Sequence, residues 1–217
     1  MGEYFDISPL ISSDLAVFPG DQAFVRRVAM SFEKQHHLEL SSIHTTVHLG
    51  AHADAPSHYT ANGKGIHERD LNLYMGLCQV IRVNIPRGAR LQVQDLGGKK
   101  ILAPRVLFAT DSYPNPNKWN EDFNSLSADL VDMLASQKVC LVGLDTPSVD
   151  PAREKVLSSH HAISRHDMAV LEGVVLDQVP EGLYTLIALP LKLKNLDASP
   201  VRAILLKDGF AIKSEFA

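Results

Sequence analysis

The stretch His48-Leu49-Gly50-Ala51-His52-Ala53-Asp54-Ala55-Pro56-Ser57-His58 places three imidazoles and a carboxylate within eleven residues. No basic residue interrupts it, and the residues between are small or apolar. Neutral imidazole and carboxylate are the ligands that suit zinc and manganese. His48 and His52 are four apart, so on a helix they share a face. Gly50 and Pro56 disfavour a long helix, however. In an extended segment the even positions 48, 52, 54 and 58 point to one side. Either conformation turns His48, His52 and Asp54 toward one point. Pro56 ends the regular segment and leaves His58 just beyond the ligands. An imidazole there is suited to acid–base work, because that side chain titrates near neutrality.

A second cluster lies far along the chain, in Ser159-His160-His161-Ala162-Ile163-Ser164-Arg165-His166 and Leu171-Glu172-Gly173. Adding His160 or His161 and Glu172 brings the donors to about five, more than one tetrahedral zinc uses. Such a set suits two metal ions bridged by carboxylates, with Asp54 and Glu172 as the bridging candidates. His36, His37, His44, His67 and His166 read as core or solvent histidines instead.

The chain has 217 residues, a length that fits one domain with a large core. Its net charge of -4 gives no basic field for nucleic acid or an anionic membrane. Cys78 and Cys140 lie in apolar runs without CxxC spacing, so they read as buried free thiols of a reducing compartment. The start, Met1-Gly2-Glu3-Tyr4-Phe5-Asp6, has neither the basic opening nor the apolar run of a signal peptide. The expected location is the cytoplasm.

Short apolar runs predict strands at 79–85, 106–110, 139–145, 183–190 and 201–206, supported by their Val and Ile content. Ser127 is placed to cap a helix over 128–136. Asp150-Pro151 predicts a second helix through 152–160. Residues 112–124 (SYPNPNKWNEDFN) read as a long surface loop. There is no repeat, low-complexity tract or linker. Helices alternate with strands through the middle, and the N-terminal third is strand-rich. The class is α/β or α+β, one domain over 1–217.

With these residues in view, the chain resembles the cyclase-like metal hydrolases, whose signature H-x-G-T-H-x-D-x-P-x-H is matched at His48, Gly50, His52, Asp54, Pro56 and His58. Within that superfamily it is most similar to the bacterial kynurenine formamidases, or arylformamidases. The similarity includes Asp6-Ile7-Ser8-Pro9, Phe18-Pro19-Gly20-Asp21, Asp145-Thr146-Pro147-Ser148-Val149-Asp150, His160-His161 and Asp197-Ala198-Ser199-Pro200-Val201-Arg202. It implies an α/β fold of the swivelling β/β/α type and a homodimer with sites near the subunit interface. It also implies two zinc ions, one on His48, His52 and Asp54 and the other on His160, with Asp54 and Glu172 shared. His58 would be the proton donor and acceptor, and Phe18 the aromatic contact to substrate.

The implied reaction is hydrolysis of N-formyl-L-kynurenine to L-kynurenine and formate, with manganese or cobalt as substitutes for zinc. Two alternatives compete: opening of a cyclic amide such as isatin, and a catalytically silent metal-dependent dimer module. The chain departs from the pattern at Ala51, where the family has Thr, and at Phe18, where these formamidases carry Trp. Loss of the Thr hydroxyl is expected to weaken support for a ligand.

Overall fold

The structure, a computed structural model, describes residues 4–207. Nine strands form one sheet: β1 Tyr4–Asp6, β4 His52–Asp54, β5 Met75–Arg82, β7 Arg105–Ala109, β9 Leu141–Leu144, β10 Ala169–Glu172, β11 Gly182–Ile187, β12 Ala198–Pro200 and β13 Ile204–Leu206. Two small pairs stand apart, β2 Val25–Met30 with β3 Leu40–His44, and β6 Arg90–Leu91 with β8 Ser125–Leu126. The helices are α1 Ala128–Ser136 and α2 Ser158–Arg165.

The strand order is β1-β13-β11-β5-β7-β9-β10-β4-β12. The four central strands from β5 to β10 run parallel, and antiparallel strands flank them on both sides. β7, β9 and β10 are buried throughout, and β5 is buried over residues 78–81, where it runs beside β7, as parallel strands covered on both faces must be.

Chain connectivity forces the sheet to curl. β12 closes one end of the order and β13 lies one place from the other, yet only Val201–Ala203 separate them. Four backbone steps reach at most ~14 Å. Seven strand spacings in a flat sheet would need roughly 34 Å. The rims therefore approach each other and are stitched together. Val201 N donates to Ala51 O at 2.9 Å, and Ile7 N donates to Ala203 O at 3.0 Å. The inside of the curl is an apolar core that includes Ala53, Val80, Leu107, Leu171, Leu186 and Leu205. The outer face, with Val106, Phe108, Val142 and Val170, packs against Leu130 and Leu134 of α1 and Ile163 of α2.

The helix over 128–136 forms as expected, with the Ser127 side chain accepting from Leu130 N. The second helix begins later than the sequence predicts. Residues 152–156 form turns, and Leu157 takes a left-handed conformation (φ 53°) before α2 starts at Ser158. Asp150 still serves that helix, from seven residues upstream of Leu157. Its carboxylate accepts from Ser159 N and His160 N, both at 3.1 Å, and so satisfies donors of the first turn. Of the run 201–206, only Ile204–Leu206 is strand; the first half is the connector across the curl. Cys78 is buried, but Cys140 is only partly so, with Sγ against Pro104 O at 3.2 Å. Residues 112–124 lie at the surface over most of their length, but Ser112, Phe123 and Asn124 anchor both ends in the interior.

Candidate functional site

Register brings the two sequence clusters together. β4 and β10 pair antiparallel, with His52 opposite Glu172 and Asp54 opposite Val170. Cross-strand partners point to the same face, so His52, Asp54 and Glu172 share the side that Val170 turns toward α2. From α2, His160 reaches the same place. His48 arrives from the bend ahead of β4, which turns at Gly50 (φ +57°). The even-numbered reading thus holds for His52 and Asp54 within the strand, while His48 depends on that turn. His160 is buried and His161 is exposed, so only the first of the pair enters the cluster.

The polar atoms of these side chains crowd together at close range. His52 Nε2 lies 3.4 Å from Asp54 Oδ1 and 3.3 Å from Glu172 Oε2. His160 Nε2 lies 3.5 Å from Asp54 Oδ2 and 3.4 Å from Glu172 Oε1. Tetrahedral ligands at zinc bond lengths of about 2.0–2.1 Å stand ~3.3–3.4 Å from one another. His52 Nε2, His160 Nε2 and both Asp54 carboxylate oxygens are buried, and no hydrogen bond satisfies them. Orphaned buried donors and acceptors are costly. A metal-ligating role accounts for all four together. Three donor sets result among the described residues: His48–His52–Asp54 and Asp54–His160–Glu172, which share Asp54, and the more exposed His48–His58–Asp197.

Outer contacts orient these groups. His52 Nδ1 is 2.9 Å from Gly50 O. His160 Nδ1 is 2.8 Å from Asp150 Oδ2, and Arg90 donates to Asp150 Oδ1 at 2.8 Å. Val149 N donates to Glu172 Oε1 at 2.7 Å. Asp197 Oδ2 stands 3.0 Å from His48 Nε2 and 3.2 Å from His58 Nδ1. Sequence reasoning assigned no role to Asp150 or Asp197 as ligand supports. They are loop carboxylates with no periodic signal, and only the fold brings them to the histidines. His58 itself ends a short 3₁₀ turn over Pro56–His58 and remains exposed beside the cluster, as its position after Pro56 implied.

Electrostatics follow the same map. Burial disfavours charge on His48, but Asp54 and Asp197 outweigh it and push its pKa up to about 10. Burial likewise opposes charge on His160, yet Asp150, Asp54 and Glu172 hold its pKa well above the usual histidine range. Burial would raise the Asp54 pKa; the neighbouring His48 and His160 instead hold it well below the ordinary carboxylate value. Glu172 is lowered as well: burial and repulsion from Asp54 would raise it, but the neighbouring His160 and His52 outweigh both.

A cavity of about 950 Å³ opens over the cluster. Phe18, Tyr113 and Trp119 line its aromatic side, and the Phe18 and Trp119 rings meet edge to face with centroids 4.8 Å apart. Phe18 therefore does reach the site, and the loop over 112–124 contributes the other two rings. Ala51 does not bear on the ligands as the sequence implied. It packs with Ala53 and Ala55 in the core inside the curl, on the face away from His52 and Asp54. His37, His44 and His166 are exposed, and His36 and His67 are half-buried, accepting from Ser31 N and Asn195 N respectively. None belongs to a donor set among the described residues.

Fold and site define a class: a curled mixed α/β domain with a histidine–carboxylate cluster set into one face of its sheet. The chain belongs to the cyclase family, whose model matches residues 5–151. It is 44% identical over 206 residues to the kynurenine formamidase of Bordetella pertussis (strain Tohama I), covering 94% of this chain and 98% of that one. It is 42% identical to the kynurenine formamidase of Maricaulis maris (strain MCS10), with the same coverage. Isatin hydrolase A from Labrenzia aggregata, solved with benzyl benzoate bound, superposes with a TM-score of 0.78 at 21% identity, covering 94% of this chain and 93% of that one. That likeness is one of fold.

Proposed function

We propose that this protein is an arylformamidase that hydrolyses N-formyl-L-kynurenine to L-kynurenine and formate, a step of tryptophan degradation. It would hold two zinc ions per chain through His48, His52, Asp54, His160 and Glu172. The observation that carries this reading is the convergence of four buried, unsatisfied ligand atoms of His52, Asp54 and His160 from two separate elements, β4 and α2. The names of relatives 42–44% identical over nearly the whole chain supply the substrate. The same donors accept manganese or cobalt.

When bound, divalent cations in such a set acidify water and polarise a carbonyl oxygen. His58 takes a proton from the attacking water and delivers one to the aniline nitrogen as the formyl C–N bond breaks. The water oxygen leaves in formate. Phe18 holds the arene of the substrate, with Trp119 behind it.

The cytoplasm is the proposed compartment, in keeping with two free thiols. Among the described residues no helix is long and apolar enough to cross a membrane. A homodimer is proposed from the β2–β3 hairpin. Nearly all its residues are exposed, among them Val25, Val28, Leu40 and Ile43, and an isolated two-stranded hairpin is marginal in water. A second copy would cover that apolar surface.

The deciding experiment joins elemental analysis to turnover of N-formylkynurenine on one purified sample. Two zinc ions per chain, turnover lost to dipicolinate and turnover regained with zinc are the expected results. Full turnover in the metal-free protein would overturn the reading.

A further inference from the structure

Asp197 sits immediately before β12. Ala198 is the register partner of Asp54, so the loop carboxylate lies at the edge of the donor cluster. Its backbone is fixed, with Ala55 N donating to Asp197 O at 2.8 Å and Ile66 N donating to Leu196 O at 2.9 Å. One oxygen, Oδ2, faces two imidazoles: His48 Nε2 at 3.0 Å and His58 Nδ1 at 3.2 Å. The two rings are tilted together with centroids 4.2 Å apart.

An ionised carboxylate only accepts hydrogen bonds, so each ring nitrogen facing it must carry the hydrogen. A neutral imidazole has one N–H and one lone pair. For His48 the hydrogen on Nε2 leaves the Nδ1 lone pair toward Asp54, 3.0 Å away, where the ligand atoms converge. For His58 the hydrogen on Nδ1 leaves the lone pair on Nε2. One side chain thereby fixes opposite tautomers in neighbouring rings, each the one its task requires.

We propose that Asp197 is a positioning residue that sets the tautomers of both His48 and His58, preparing the first to ligate a metal through Nδ1 and the second to exchange protons through Nε2. The inference rests on the proposed role of His58 in proton transfer. It adds a link between metal binding and acid–base chemistry through a single carboxylate.

The test uses the full chain loaded with zinc and labelled with ¹⁵N-histidine. Long-range ¹H–¹⁵N spectra report which nitrogen of each ring is protonated, with the His58 signals assigned by their loss in His58→Ala. Wild type is expected to show His58 protonated on Nδ1 and bare on Nε2, and Asp197→Asn to shift it toward the other tautomer. Zinc affinity of Asp197→Asn should fall 10–100-fold, the usual effect of removing a partner from a ligating histidine. Turnover should fall about 10²–10⁴-fold, as when a base is left in the wrong tautomer. In the His58→Ala background the same substitution should cost no further turnover beyond that due to lost zinc.

Asp197→Glu, which keeps the acceptor, should recover part of each loss. A wild-type spectrum with His58 protonated on Nε2 overturns the proposal. So do an unchanged spectrum in Asp197→Asn and turnover losses that multiply in the double variant at saturating zinc. Full turnover in His58→Ala would sink the reading of His58 alone, while the spectra and zinc affinity would still judge Asp197.

Discussion

Gly173 lies against the carbonyl of Gly50, so that a methyl group on Gly173 would overlap that oxygen. The contact joins the end of β10 to the bend ahead of β4. It also aims the Gly50 carbonyl at His52 Nδ1, 2.9 Å away. Gly173 has φ +65°, a conformation that disfavours any side chain. Gly173→Ala should therefore cost about 2–4 kcal/mol through strain and displacement of the bend. It should weaken zinc binding as His52 loses its orientation. Urea unfolding and zinc titration measure the two effects, and a wild-type midpoint would show that the bend can retreat.

Asp54 is the only member common to the His48–His52 set and the His160–Glu172 set. An amide in its place keeps the shape but loses one acceptor and the charge. Asp54→Asn should bind fewer than one zinc per chain. Turnover should fall by more than the 10–100-fold typical of residues that merely support a ligand. Retention of two zinc ions would remove Asp54 from the bridging position.

The ligand stretch was legible because alternation is a local property. His52 and Asp54 fall on one face of β4, while Ala53 falls on the other, as the pleat requires. Residue chemistry points to Glu172 and to His160 or His161, and only the resemblance singles out His160; their meeting with Asp54 depends on the register of β4 with β10 and on the packing of α2, all far apart in sequence. Asp197 and Asp150 carry no sequence signal as supports of the histidines, because a loop carboxylate resembles surface charge until the chain around it is folded. The late start of α2 has a similar cause. Asp150 does supply the cap that the sequence implied, but across an intervening turn that no local propensity specifies.

Asp150 accepts from Ser159 N and His160 N and pairs with the His160 ring, while Arg90 holds its other oxygen. Asp150→Asn would confront those donors with a group that can accept at only one end. A loss of about 1–3 kcal/mol in folding stability is expected from unsatisfied buried groups. Zinc affinity should drop 10–100-fold. Thermal melts with and without zinc separate the two, and unchanged values in both would remove Asp150 from the support of α2 and His160.

Metal-free protein should lose stability as pH rises. The His48 pKa lies at about 10 rather than its ordinary 6.5, because Asp54 and Asp197 outweigh the cost of burial. A raised folded-state value contributes stability that is full below about 6.5, declines above it and is gone once pH passes about 10. The midpoint of thermal unfolding in excess chelator should therefore fall between pH 7 and pH 10, and His48→Gln should flatten that slope. Zinc competes with the proton for the same nitrogen, so zinc affinity should increase over the same interval. Stability rising with pH in chelator would contradict the assignment.

The aromatic side of the cavity offers a test of substrate recognition separate from the chemistry. Phe18 meets Trp119 at a centroid distance of 4.8 Å and an interplanar angle of 67°, and both line the cavity. An aromatic contact of this kind contributes about 0.5–1.5 kcal/mol beyond buried area, equivalent to roughly 2–12-fold in affinity. Phe18→Ala should thus raise KM for N-formylkynurenine several-fold and leave kcat nearly unchanged, since the ring belongs to no donor set. Phe18→Trp should keep KM near the wild-type value. Isatin, run alongside as a cyclic amide, should turn over more slowly than the formamide in every variant. A collapse of kcat in Phe18→Ala with KM unchanged would move Phe18 from holding the arene to acting on the reaction itself, and faster turnover of isatin would exchange the linear substrate for the cyclic one.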